Sequence, residues 1–186
     1  MATENFGPSA LATPANAVSG LRLFVSPFLF LLVLRDGATW LALAVWVVLS
    51  VSDGLDGYLA RRQGITRSGA FLDPLADKML VLAAMAALVF TRVFWAAPVL
   101  LIAGREITVS VYRISMGRRG VSVPARLLAK VKTVVQEVAV GFALLPLTTR
   151  HPVVADACLW AAVVLALASG AQYLLDARTA VGAHAL

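Results

Sequence analysis

The chain has 186 residues, 60% hydrophobic and only 14% charged, with a mean hydropathy of +0.86; a soluble domain averages about 45–50% apolar and roughly a quarter charged. These values exclude an ordinary soluble domain and predict an all-α integral membrane protein, a single helix bundle. The net charge of +6 sits in short basic stretches between apolar runs, without interleaved aromatics, which argues against nucleic acid and for anionic lipid and a phosphorylated substrate as partners.

A membrane-crossing helix needs about 20 apolar residues. Six segments meet this requirement, at roughly 17–35, 38–61, 70–91, 94–115, 124–148 and 152–175. The breaks between them carry turn or charge signals: Arg35-Asp36-Gly37, Arg61–Ser68, Thr91-Arg92, Gly117–Gly120 and Thr148–Pro152. The expected organisation is an N-terminal cytosolic segment (1–16), a six-helix transmembrane domain (17–178) and a C-terminal tail (179–186). The first residues lack a basic start ahead of a cleavable apolar stretch, so no signal peptide is expected. Cys158 stands alone, which excludes an internal disulfide and a cysteine-based metal site.

Orientation follows from Lys and Arg. With six spans, both termini share a side with the 2–3 and 4–5 connections. That side holds Arg61, Arg62, Arg67, Lys78, Arg113, Arg118, Arg119, Arg126, Lys130, Lys132 and Arg178, against Arg35, Arg92 and Arg150 on the other. The bias predicts cytosolic termini and a cytosolic position for the chemistry-bearing ends of spans two and three.

Those ends carry four carboxylates. Asp53 and Asp56 are three residues apart and Asp73 and Asp77 four apart, so each pair shares a helix face. Ionisable groups at membrane depth are costly and usually functional. Four neighbouring carboxylates cannot all ionise without cations between them. Hard oxygens suit Mg²⁺ or Mn²⁺, and four carboxylates suffice for two such ions with a diphosphate bridging them. Gly57 and Ala60 leave one face nearly bare, admitting a ligand close to the backbone, and Arg61 supplies a phosphate-binding fork. Structural ion pairing of four aspartates with nearby arginines is the competing explanation, and the small residues set between them speak against it.

The pattern D-x-x-D-G-x-x-A-R followed by G-x-x-x-D-x-x-x-D, here Asp53, Asp56, Gly57, Ala60, Arg61, Gly69, Asp73 and Asp77, resembles the signature of the CDP-alcohol phosphotransferases. The resemblance implies a six-helix membrane enzyme, generally a homodimer, that transfers a phosphatidyl or similar group from a CDP-linked donor to an alcohol and releases CMP. It implies two divalent ions on Asp53, Asp56, Asp73 and Asp77, with Asp77 also the general base. It further implies a CDP site formed by Asp53, Asp56, Gly57, Ala60, Arg61, Thr66 and Gly69.

Other segments narrow the acceptor. Asp73-Pro74-Leu75-Ala76-Asp77-Lys78, Arg105-Glu106-Ile107 and Ala129-Lys130-Val131-Lys132-Thr133 with Gln136 resemble stretches of the bacterial phosphatidylglycerophosphate synthase branch, with Ala129 where that branch usually has glycine. Pro14-Ala15-Asn16 and Arg22 match the family's opening only loosely. The implied substrates are CDP-diacylglycerol and glycerol 3-phosphate, with Arg105, Arg113, Lys130 and Lys132 expected to bind the acceptor phosphate. Positive-inside bias accounts for part of this charge, and Arg118, Arg119 and Arg126 are read as surface charges. Glu106 and Glu137 are expected to pair with basic residues, Gln136 to bond between helices, and Asp156 and Asp176 to be solvated. His151 and His184 have no ligand-like company, and the tryptophans and tyrosines read as packing or interface anchors. Alternatives are the same chemistry on inositol phosphate, serine or phosphatidylglycerol, an intramembrane prenyltransferase, or a divalent-cation transporter. The prenyltransferase fits poorly, because such enzymes typically have more spans and a second aspartate motif and this chain shows neither. A transporter would place acidic residues deep in several spans.

Overall fold

The computed structural model describes the backbone of residues 14–63, 69–118, 127–148 and 152–184, and the side chains of 17–52, 75–117, 127–148 and 152–177. Among the described residues there are six α-helices and no strand: α1 (Pro14–Asp36), α2 (Trp40–Gln63), α3 (Gly69–Phe90), α4 (Ala96–Arg118), α5 (Leu127–Leu144) and α6 (Val153–His184), with a short 3₁₀ turn at Pro146–Thr148. Each expected span coincides with one helix. The last one runs further than its apolar stretch, continuing to His184.

Local chemistry sets the helix ends. Gly37 follows α1 at φ 68°, a left-handed conformation that costs glycine nothing, and donates its N–H to the Val33 carbonyl at 2.9 Å. Thr39 caps α2, its Oγ1 accepting from the Ala42 N–H at 3.2 Å, the usual N-cap bond. The turn between α3 and α4 is a Schellman motif built on Arg92 at φ 60°. The Val93 N–H reaches the Leu88 carbonyl at 2.8 Å and the Arg92 N–H reaches Val89 at 3.0 Å, so orphan carbonyls at the helix end are satisfied. This tight reversal makes α3 and α4 neighbours in sequence that run in opposite directions.

The bundle is inverted relative to a soluble protein. On α1, Leu21, Phe24, Phe28 and Leu31 are exposed, whereas Ser19, Arg22 and Ser26 are buried with Leu29 and Val33. On α5, Leu127, Val131, Val134 and Val138 face outward while Lys132 and Gln136 are buried. Apolar surface of this extent has no place in water, and lipid is the solvent that selects it. Ala17–Asp36 and Val153–Ala177 are long and apolar enough to cross a membrane on composition alone. The polar groups of α4 and α5 (Arg105, Glu106, Lys130, Lys132) lower their average hydropathy, but they point largely into the bundle or sit at its end.

α1 packs mainly on α3 and also on α2, while α6 packs on α5 and α4. The dry part of the core comprises Leu29, Val33, Trp46, Leu80, Met85, Leu88, Ile102, Val140, Leu144 and Leu159, closed by alanines such as Ala84, Ala87, Ala139 and Ala162. Trp46 donates its indole N–H to the Glu137 carbonyl at 3.3 Å and lies 3.6 Å from where a Cβ on Gly141 would be. Toward the opposite end, where α3 and α5 begin and α4 finishes, the interior turns polar.

Candidate active site

Three helices meet at Glu106. Its carboxylate is buried on α4; Oε1 accepts from Arg105 Nη1 at 2.8 Å and from Lys132 Nζ of α5. Arg105 reaches past its neighbour to α6, donating Nε to the Ala166 carbonyl at 3.0 Å and Nη2 to Ser169 Oγ at 2.9 Å. Only 9% of the Arg105 side chain is exposed. A cation at membrane depth requires such partners, and here they hold the guanidinium in one orientation. Gly170 makes this possible: a Cβ there would stand 3.2 Å from Arg105 Cγ and 3.3 Å from Nε.

The second basic group comes from α3. Lys78 donates to Ser110 Oγ on α4, and Ser110 in turn donates to the Glu106 carbonyl at 2.6 Å. Arg105 and Lys132 thus share the Glu106 carboxylate, and Lys78 is tied to the same turn of α4 through Ser110. Nearer the surface, the Arg113 guanidinium lies over the Tyr173 ring, 5.4 Å from its centroid. Tyr112 meets Tyr173 edge-on at 6.3 Å.

These groups surround a cavity of about 390 Å³ whose walls include Asp77, Lys78, Arg105, Glu106, Ser110, Arg113, Lys130, Lys132, Thr133, Ser169, Tyr173 and Asp176. All four residues expected to bind an acceptor phosphate therefore lie on one cavity, and so does Asp77. Lys130 and Arg113 are exposed at its rim while Arg105 and Lys132 are drawn inside. A smaller chamber of about 40 Å³ adjoins it, sharing Asp77, Lys78, Glu106, Lys132 and Thr133 and adding Val81, Leu82 and Gln136.

Asp53, Asp56, Gly57, Ala60 and Arg61 fall on α2 and Gly69 and Asp73 on α3, so each aspartate pair is one helical turn apart along its backbone. Their side chains, with Thr66, Arg118, Arg119, Arg126, His151 and His184, lie outside the described residues. Of the four expected metal ligands only Asp77 is described, and among the described residues no group of three His, Cys, Asp or Glu side chains converges. The donor chemistry of the four carboxylates, all hard oxygen, fits Mg²⁺ or Mn²⁺.

Several lining residues were not legible in the sequence. Ser169, Tyr173 and Asp176 belong to α6, far along the chain from every motif. Asp176, expected to be solvated, is half-buried in the cavity wall, and Tyr173, expected to be an anchor, is a platform for Arg113. The one sequence signal was the Ser169-Gly170 interruption of an otherwise apolar helix. Glu106 does pair with basic residues, as expected.

The sequence profile described as CDP-alcohol phosphatidyltransferase matches residues 12–168. The chain belongs to the CDP-alcohol phosphatidyltransferase family. As a member of that family it is a membrane-embedded transferase, which agrees with its apolar exterior and polar interior. It is 36% identical over 183 residues to a probable phosphatidylglycerophosphate synthase of Mycobacterium tuberculosis (strain H37Rv), covering 95% of this chain and 87% of that protein. It is 39% identical over 133 residues to the CDP-diacylglycerol–glycerol-3-phosphate 3-phosphatidyltransferase of Bacillus subtilis (strain 168), covering 69% of each. The enzyme of the same name from Escherichia coli (strain K12) is 38% identical over 166 residues, covering 84% of this chain and 90% of that one.

Proposed function

We infer that this transferase moves the phosphatidyl group of CDP-diacylglycerol to sn-glycerol 3-phosphate, giving phosphatidylglycerophosphate and CMP. The observation that carries the reading is the single cavity that joins Asp77 to Arg105, Arg113, Lys130 and Lys132. A phosphorylated alcohol placed there meets cations at its phosphate end and a carboxylate at its hydroxyl end. The names of the relatives in three bacteria support the same acceptor.

In this mechanism Arg105 and Lys132, fixed by Glu106, orient the acceptor phosphate, and Lys130 and Arg113 draw the anion in from the rim. Asp77 takes the proton from the acceptor's primary hydroxyl. The freed oxygen attacks the β-phosphorus of the donor, a new P–O bond forms, the bond to the CMP oxygen breaks, and CMP leaves with the electron pair. Asp53, Asp56, Asp73 and Asp77 would hold two Mg²⁺ or Mn²⁺ ions, whose contribution when bound is to neutralise the diphosphate. Gly57, Ala60, Arg61, Thr66 and Gly69 would line the cytidine diphosphate site. The donor's acyl chains remain in lipid, the active site and both termini face the cytosol in accord with the Lys and Arg bias, and the enzyme acts as a homodimer.

The test is CMP release by purified protein with CDP-diacylglycerol, Mg²⁺ or Mn²⁺, and a panel of glycerol 3-phosphate, inositol phosphate, serine and phosphatidylglycerol. Release with glycerol 3-phosphate at least tenfold above the others is expected; a preference for any other acceptor overturns the assignment. Metal uptake into proteoliposomes without CMP release would support a transporter instead.

A further inference from the structure

Gln136 is the one buried polar side chain of α5 that the mechanism above leaves without a task. It is 3% exposed, and its Nε2 has no hydrogen-bond partner. A buried amide N–H left unmatched is costly, and such groups in native proteins call for an explanation. Gln136 lines the small chamber of about 40 Å³, where it stands one helical turn from Lys132 and shares the walls with Asp77 and Thr133. Val81 and Leu82 form the apolar part of that wall.

Size and chemistry limit the occupant. A single water needs about 10–15 Å³ of such cavity space, so the chamber admits a hydroxyl-sized group with room to spare. Its polar lining offers N–H donors from Gln136, Lys78 and Lys132 and carboxylate acceptors from Asp77 and Glu106. A hydroxyl both accepts and donates, and so matches the polar part of the wall; a methyl or methylene suits Val81 and Leu82 but leaves the polar groups unmatched. Because Asp77 borders both spaces, a hydroxyl in the chamber belongs to a carbon next to the one whose hydroxyl reacts.

We propose that this chamber is a hydroxyl subsite in which Gln136 donates to the secondary hydroxyl of the acceptor, making Gln136 a specificity-determining residue for vicinal polyol phosphates. The proposal rests on the glycerol 3-phosphate reading and adds to it a reason why a simple hydroxyalkyl phosphate is a poor acceptor. Sites built to hydrogen-bond a substrate hydroxyl discriminate strongly against an analogue that lacks it, because the protein groups are left unmatched.

The experiment compares sn-glycerol 3-phosphate with 3-hydroxypropyl phosphate, which lacks only the secondary hydroxyl, by CMP release from the full-length protein in the presence of CDP-diacylglycerol and Mg²⁺. Wild type is expected to favour glycerol 3-phosphate by about 30-fold or more in kcat/KM, within the range that an unmatched buried donor produces. Gln136→Met, which keeps the volume and removes the amide, is expected to lose at least about tenfold on glycerol 3-phosphate and less than about threefold on the analogue. Gln136→Glu, which keeps the shape and an oxygen but lacks the N–H donor when ionised, serves as a second variant should the first fail to fold, and is expected to lose discrimination in the same direction. Equal loss on both substrates makes Gln136 merely structural and overturns the proposal, as does discrimination that survives in the variants. A wild type that prefers neither phosphate over the other also overturns it, while CMP release with glycerol 3-phosphate in that same assay leaves the parent function standing. A wild type inactive on both acceptors but active on another alcohol defeats the parent reading itself.

Discussion

Glu106 and Lys132 join α4 to α5 through a buried ion pair, and the oxygen that binds Lys132 also holds Arg105. Removing one partner of a buried pair leaves an uncompensated charge and costs about 3–5 kcal/mol, whereas exchanging both for apolar groups is often neutral. Glu106→Ala is therefore expected to lower the thermal unfolding temperature of the detergent-purified protein markedly. The double variant Glu106→Leu/Lys132→Leu is expected to regain the share due to Lys132 but not the share due to Arg105, which also loses its carboxylate, and to remain nearly inactive in CMP release. A stable double variant with wild-type turnover would show that the pair serves only the fold.

Gly170 tests the placement of Arg105. A Cβ at 170 intrudes on Arg105 Cγ and Nε, so Gly170→Ala is expected to disturb the bonds to Ala166 and Ser169. Hydrogen bonds to charged groups contribute about 1.5–3 kcal/mol, which corresponds to a loss of roughly 10- to 100-fold in kcat/KM for the acceptor. The KM for CDP-diacylglycerol should stay put. Gly104→Ala, where a Cβ meets nothing within 4 Å, is the matched control and should behave as wild type.

Tyr173 supports Arg113 through its ring face. A cation–π contact at a partly exposed site is worth about 0.5–1 kcal/mol, so Tyr173→Leu should raise the acceptor KM by roughly two- to fivefold. Tyr173→Phe keeps the ring and should leave that KM within error. Steady-state kinetics at fixed donor concentration distinguishes the two.

The extent to which this could be read from residue order divides along a physical line. Six helices were legible because each is a run of apolar residues about as long as a bilayer is thick, and Gly37 and Arg92 mark two of the reversals. Placing Arg105, Arg113, Lys130 and Lys132 around one site was legible because charged groups in otherwise apolar spans stand out, although Lys130 sits at the rim and Lys132 inside. The Glu106–Lys132 bond was expected only as pairing with some basic residue, since sequence does not say which helix will lie opposite. Ser169, Tyr173 and Asp176 were missed for the same reason: packing of α6 on α4, not local spacing, brings them to Arg105 and Arg113. Buried polarity at Ser19 was hidden too, because in lipid the outward face, not the inward one, is uniformly apolar, whereas Gln136 was expected between helices and is buried there.

The proposed carboxylate set predicts metal dependence. Chelation with EDTA should abolish CMP release by the purified protein, and Mg²⁺ or Mn²⁺ added back in excess should restore it. Undiminished turnover after exhaustive chelation would remove the ions from the reaction.

Asp77 carries the proposed proton transfer. Asp77→Asn should reduce CMP release by about 10²-fold or more, the scale of general base catalysis, while the protein still inserts and elutes at the wild-type position. Near-normal turnover would reassign the base.

The most direct measurement is to supply the purified protein with CDP-diacylglycerol, divalent metal and carbon-13-labelled sn-glycerol 3-phosphate, then identify the lipid product by mass. Labelled phosphatidylglycerophosphate formed in equal amount with CMP is the predicted result. CMP accompanied by an unlabelled lipid, or no CMP from this acceptor while another alcohol supports its release, contradicts the assignment.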